Sequence, residues 1–252
     1  MLDPAEEAAV AEQFGVARAQ VRRDHLISHL LAALSSDLTE MVVFFGGTAL
    51  ARSLVPEGRL SEDIDLLAVG PRRDVVDAVE RRLVHGVRRE YPGLGWEPPL
   101  SAVRDVESAV LRTLDGLTVR VQLLDPVGYP PWPVEPRELV QRYSDAPPAR
   151  LLVPTKASFA AWKTVAWMDR AATRDLYDLW TLVRAGAIDA EAAELFAQLG
   201  PTTAPPSDRD FQQAPDERRW RRELVGQVRL ELTAAEALGQ VRAAWRVARG
   251  RR

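Results

Sequence analysis

The sequence predicts an α+β fold, with a mixed β-sheet in the N-terminal half and a helical C-terminal half. Three observations carry this. Apolar spacing changes from helical to strand-like near residue 40; the strand candidates "MVVFF" and "DIDLLAV" flank a Gly-Gly turn and a short helix; and helical spacing returns from Pro154 onward. The expected division is an α+β domain over 1–150, including an N-terminal helix, and a helical domain over 151–252.

Taken in order, residues 5–38 read as one helix, with leucines and alanines at helical spacing in "HLISHLLAALSSDL" and a polar stop at "SSD". Residues 41–45 form a short apolar strand, "GGTALARSL" turns into a helix, and "DIDLLAV" is a strand closed by Gly70-Pro71. "RRDVVDAVERRLVHGVRREY" is amphipathic and predicts a helix, and "ESAVLRTLDGLTVRVQLLDP" predicts a hairpin about Asp115-Gly116. The Pro-rich "PVGYPPWPVEP" reads as a break. Helices are then expected over 155–169, 173–185, 189–199 and 216–248, with "PTTAPPSDRDFQQAP" as a loop. There is no internal repeat.

A chain of 252 residues with 46% apolar content can bury a sizeable core. No apolar run approaches the 18 residues or so of a membrane span, and "MLDPAEEAAVAEQFG" is acidic where a secretory signal is basic and then apolar, so a soluble, cytoplasmic protein is expected. Cysteine is absent. The three histidines, His25, His29 and His85, read as too few and too scattered for a zinc cluster, so any metal is expected on oxygen ligands. The 31 arginines outnumber two lysines, Lys156 and Lys163; arginine serves wherever positive charge alone is needed, whereas a retained lysine suggests a need for a compact ammonium.

Within "RLSEDIDLLAVG" strand alternation places Ser61, Asp63 and Asp65 on one face and Glu62, Ile64 and Leu66 on the other. Two adjacent carboxylates repel unless a positive charge lies between them, and a hard divalent cation is the natural candidate. Just upstream, Gly46 and Gly47 lead into a helix whose first amides lack partners, which suits a phosphate.

Strand, Gly-Gly, helix and a strand with Asp-x-Asp together resemble the polymerase-β-type nucleotidyltransferase fold. More closely, "GGTAL", "RLSEDIDL" and "KTVAWMDRAATRDLYDLWTL" resemble the AbiEii-type toxins of type IV toxin–antitoxin systems, over about residues 41 to 185. The resemblance implies Gly46 and Gly47 as the phosphate turn, Ser61 as a hydroxyl near the nucleotide phosphates, and Asp63 and Asp65 as Mg²⁺ ligands. It further implies Lys163 as a phosphate contact and Asp178, with Arg174 and Asp175 beside it, as the downstream acidic position. A nucleoside triphosphate is the implied co-substrate, RNA with the tRNA 3′ end the implied acceptor, and an antitoxin protein a candidate partner. A small-molecule or protein nucleotidyltransferase, and a non-catalytic nucleotide- or RNA-binding relative, are the alternatives.

Taken alone, "RDLYDL" reads as ordinary surface pairing at i, i+3 and i, i+4, with Thr173 capping the helix. Arg52 and Arg59 are candidate phosphate contacts. Many enzymes of this fold carry a third carboxylate on a later strand, where "LTVRVQLLD" offers Arg120 and Gln122, with Asp125 only at its end. Either Asp125 reaches in, Asp178 serves as the base, or catalysis is weakened. Net charge is −3, but ten arginines against three glutamates fall between Arg218 and Arg252, and "RRWRR" could hold an RNA backbone and stack on a base.

Overall fold

The computed structural model describes residues 1–250. The N-terminal helix is two helices, α1 (Pro4–Phe14) and α2 (Arg18–Asp37). Asp3 caps the first by accepting from the Ala5 and Glu6 amides. Gly15, at φ 66°, ends it in the left-handed region that favours glycine. The α1 residues Val10 and Phe14 pack with Val21, Leu60 and Tyr143.

The chain then runs through β1 (Val42–Phe45), α3 (Gly46–Ser53), β2 (Asp63–Ala68), α4 (Arg72–His85), β3 (Gly95–Trp96), β4 (Ala109–Arg112) and β5 (Thr118–Leu124). Helix α4 stops six residues short of its expected end. Gly86 follows it so close to α2 that a Cβ there would lie 2.6 Å from that of Ala33. Strands β4 and β5 form the expected antiparallel hairpin, with Gly116 at φ 86° in its turn.

Two further strands, β6 (Val134–Leu139) and β7 (Ala149–Pro154), lie at and beyond the Pro-rich break, where the sequence reading assigns no element. Pro136 suits β6 because that strand is the sheet edge, where a missing N–H costs no ladder bond. Strand β7 pairs parallel with β1, Val43 opposite Leu152, and a parallel partner leaves no turn signal in the sequence. The sheet order is β3-β4-β5-β2-β1-β7-β6, mixed as expected, with β2 parallel to β5 and antiparallel to β1. Ile64, Leu66 and Ala68 are buried while Asp63, Asp65 and Leu67 on the other face are partly exposed.

The remaining helices are α5 (Lys156–Arg170), α6 (Thr173–Arg184), α7 (Ala190–Leu199), α8 (Glu217–Leu224) and α9 (Ala234–Gly250). The single helix expected over 216–248 is therefore two. Asp216 caps α8 through the Arg218 and Arg219 amides, and Thr233 with Glu236 forms a reciprocal cap at the start of α9. Thr173 is the first residue of α6 and not its cap, a position held by Ala172.

By contacts the chain divides into two compact units, Met1–Tyr129 with Glu135–Val153, and Pro130–Val134 with Pro154–Arg252. In the first, the Arg52 side chain, 1% exposed, pairs with Asp24 at 2.8 Å and donates to the Val140 carbonyl at 2.9 Å, while Tyr143 donates to Asp24 at 2.9 Å. Burial lowers the Arg52 pKa to about 10, against the pull of Asp24. Arg52 is thus a structural ion in the core and not a phosphate contact. Removing one partner of a buried pair leaves the other uncompensated, so Arg52→Met is predicted to cost about 3–5 kcal/mol. Urea unfolding measures it; a loss below about 1 kcal/mol, the range of an exposed pair, contradicts this assignment.

Candidate active site

In the first unit, the β1–β2 pairing sets Phe45 opposite Asp65, so the turn after β1 meets the middle of β2. Gly46 adopts φ 79°, and the place a Cβ would take there lies 3.0 Å from the Asp65 carboxyl carbon. Both its backbone and its neighbour therefore require glycine. A Cβ on Gly47 would collide with the Arg59 guanidinium and lie 3.2 Å from the Ser61 hydroxyl. The Thr48 hydroxyl ties α3 to the start of β2 by donating to the Asp63 carbonyl. No side chain caps α3.

Strand β5 places Arg120 opposite Asp63 and Gln122 opposite Asp65. Arg120 donates to both Asp63 oxygens, from Nε at 2.8 Å and Nη2 at 3.2 Å, and hydrogen bonding to Asp63 followed by its charge raises the Arg120 pKa. The strand position that carries a third carboxylate in many enzymes of this fold thus holds a cation here. Asp125 does not reach in. Its oxygens accept from the Arg72 and Val127 amides, and five residues at about 3.3 Å each put it roughly 16 Å further along β5 than Arg120.

The donor set fits a hard divalent ion, with two carboxylates two residues apart on one strand face and the Ser61 hydroxyl nearby. The Arg120 side chain is 53% exposed, and exposed ion pairs are worth about 0–1 kcal/mol, so this pair is no barrier to such an ion.

In the second unit, Lys163 on α5 pairs with Asp178 on α6 at 2.7 Å and lies 3.5 Å from Asp175. Arg170 donates to both Asp175 oxygens, at 2.6 and 2.9 Å. The acids are 1% and 3% exposed, so these are buried cross-helix pairs, contrary to a surface ladder along one helix. Arg174 lies partly exposed on α6. Sequence reasoning missed Arg170 as an acid partner because the helix break at Ala171, φ 45°, folds it back onto α6.

Trp220 within "RRWRR" is fully buried, its indole donating to the Leu232 carbonyl at 2.9 Å, so it is a core residue and not a base-stacking platform. Arg218, Arg219, Arg221 and Arg222 are exposed on α8; Arg219 pairs with Glu223 and Arg221 with Glu217. Arg251 and Arg252 of this basic segment lie outside the described residues.

A family model described as "Nucleotidyl transferase AbiEii toxin, Type IV TA system" matches residues 29–247. The chain is similar in structure to MenT4, a nucleotidyltransferase toxin of Mycobacterium tuberculosis, at 24% identity and a TM-score of 0.66, over 95% of this chain and 88% of that one. It is also similar to an H. pylori protein described as a nucleotidyltransferase, at 15% identity and a TM-score of 0.54, over 93% of this chain and 96% of that one. No curated protein matches.

Gly46→Ala is predicted to destabilise by about 1–2 kcal/mol, the cost of a left-handed backbone, and to reduce nucleotidyl transfer at least tenfold by displacing Asp65. Gly70→Ala is the control: Gly70 has φ 105° but nothing within 4 Å of its Cβ position, so strain comes without displacement. Unfolding midpoints and initial rates separate the two effects, and equal activity losses in both variants would contradict the Asp65 contact.

Proposed function

Because the chain belongs to the AbiEii nucleotidyltransferase toxin family of type IV toxin–antitoxin systems, we propose that it transfers a nucleotidyl group from a nucleoside triphosphate to an RNA hydroxyl, with the tRNA 3′ end as acceptor and Mg²⁺ as cofactor. The observation that supports this most is the placement of Asp63 and Asp65 on one strand face, with Asp65 against the Gly46 turn. The acceptor oxygen bonds to the α-phosphorus, the bond to pyrophosphate breaks, and the hydroxyl proton passes to solvent water. Such a reaction needs positioning and charge neutralisation above all.

Asp63 and Asp65 would hold the metal, which when bound supplies neutralising charge at the transferred phosphate. The first α3 amides cradle a phosphate oxygen with Gly46 and Gly47 giving close backbone approach, and Arg59 and Ser61 flank that turn. Lys163 contacts nucleotide phosphates, with Arg174 beside them. Asp178 and Asp175 position its ammonium, and the close Lys163–Asp178 pair supports reading Asp178 as a positioning residue. Exposed arginines on α8 attract the RNA backbone through charge alone, since Trp220 is buried. Among the described residues no helix is long and apolar enough to cross a membrane, and we place the protein in the cytoplasm with its substrates and a cognate antitoxin. The direct test is incubation with total RNA, Mg²⁺ and each labelled triphosphate; label appearing on small molecules or protein and never on RNA would overturn the acceptor assignment.

Asp63→Asn and Asp65→Asn are each predicted to abolish transfer while leaving the unfolding midpoint unchanged or raised, because one of two crowded charges is removed. Wild-type turnover by folded Asp65→Asn in excess Mg²⁺ contradicts the metal role. Lys163→Arg is predicted to lose most activity, since a planar fork cannot replace a compact ammonium between two buried carboxylates, whereas Lys156→Arg retains it. The reverse pattern would reassign the lysine motif.

Neutralising Arg218, Arg219, Arg221 and Arg222 together is predicted to raise the RNA KM and flatten its salt dependence, leaving the triphosphate KM and turnover at saturating RNA nearly unchanged. An unchanged salt slope removes α8 from RNA binding.

A further inference from the structure

The histidines that look scattered in sequence are not scattered in space. His25 and His29 lie one turn apart on α2, both 3% exposed, and their Nε2 atoms face each other at 3.3 Å. Asp145, in the loop between β6 and β7, places Oδ1 2.9 Å from the His25 Nε2 and 3.7 Å from the His29 Nε2. All three ligand atoms lie within 4.8 Å of one another. The other carboxylate oxygen, Oδ2, is 3.2 Å from the His25 Nε2 and accepts from the Met1 amino group at 2.6 Å. Behind His25, its Nδ1 meets the Tyr91 hydroxyl.

We propose that His25, His29 and Asp145 form a binding site for one divalent transition-metal ion of the Zn²⁺ class, separate from Asp63 and Asp65, that staples α2 to the β6–β7 loop. Hydrogen bonding serves the cluster only by sharing one proton between two acceptors. A proton on the His25 Nε2 serves Asp145 and leaves the His29 Nε2 lone pair directed at the same proton; a second proton on His29 sets two N–H groups against each other. A cation among the three atoms satisfies all of them. The spacing suits it: metal–ligand bonds of about 2.0–2.1 Å in a tetrahedron give ligand–ligand edges of about 3.3–3.4 Å, which the distances 2.9, 3.3 and 3.7 Å bracket.

The Tyr91 hydroxyl on the His25 Nδ1 orients the ring, as outer-shell partners of ligating histidines do. Tyr143, whose ring lies 4.9 Å from that of His25, also donates to Asp24 in the buried Arg52 network. Nitrogen-rich ligation selects Zn²⁺, Co²⁺ or Ni²⁺ over Mg²⁺. The Asp145 side chain is 25% exposed and gives the ion a route from solvent.

The test uses the full chain, stripped with chelator, then titrated with Co²⁺ and Zn²⁺ under excess Mg²⁺ so that Asp63 and Asp65 are occupied. One Co²⁺ per chain with visible d–d absorption is expected, together with a rise of several degrees in Tm with Zn²⁺. His29→Ala and Asp145→Asn should each weaken binding at least tenfold, and circular dichroism confirms that they fold. Should His29→Ala fail to fold, Tyr91→Phe, with its ligands intact, should still weaken binding about 10- to 100-fold. The Asp63→Asn, Asp65→Asn double variant should bind Co²⁺ as the wild type does, whether or not it transfers nucleotides. Binding lost in that double variant, binding unaltered by Asp145→Asn, or none at 100-fold excess Zn²⁺ overturns the proposal without touching the nucleotidyltransfer site.

Discussion

The site in the first unit depends on strand register. Phe45 opposite Asp65 brings the Gly46 turn against a carboxylate, and Arg120 opposite Asp63 supplies a cation beside it on the sheet. A slip of one residue in β2 would bury both aspartates and expose Ile64 and Leu66. The buried alternate residues of β2 therefore aim the aspartates, so hydrophobic packing holds the register against carboxylate repulsion. Thr48 reinforces it by fastening α3 to the Asp63 carbonyl.

The same physics explains what the sequence discloses. Asp63, Asp65, Gly46 and Gly47 were legible because a two-residue period and a Gly-Gly turn are local signals, and the unit β1–α3–β2 follows from them. Strands β6 and β7 were not: β7 takes its partner from more than a hundred residues earlier, and β6 is an edge strand that tolerates proline. The break at Gly15 was hidden because helical spacing continues on either side of it. Arg120 was visible only as the lack of an acid, since its ion pair arises from a parallel partner far away in sequence. The signal for His25 and His29 was present as a one-turn spacing, but its third member, Asp145, lies 120 residues from His25.

Arginine abundance also gains a structural meaning beyond composition. Arg72 donates to the carbonyls of Leu123, Leu100 and Val103, and Arg142 to those of Ala51 and Pro56. Each fork satisfies several backbone acceptors from one side chain, which lysine's single ammonium does less readily. Arginine at these places fastens the loop residues Val103 and Pro56 to β5 and α3, and buried carbonyls left unpaired would each cost about 1–3 kcal/mol.

The segment Pro130–Val134 belongs to the second unit although it lies between two stretches of the first. Trp132 stacks on Trp162, and the Pro133 carbonyl accepts from the Thr155 amide and the Ser158 hydroxyl. The chain thus passes from one unit to the other three times. A fragment beginning at Pro154 would expose an indole face and strand two donors, and a protease cut at the 153–154 junction would leave residues 154–252 held to 130–134 by non-covalent contacts alone. The helical unit is therefore no interchangeable cassette: recombination that grafts it onto another sheet must carry this excursion, and an ancestor assembled by simple end-to-end fusion would have lacked it.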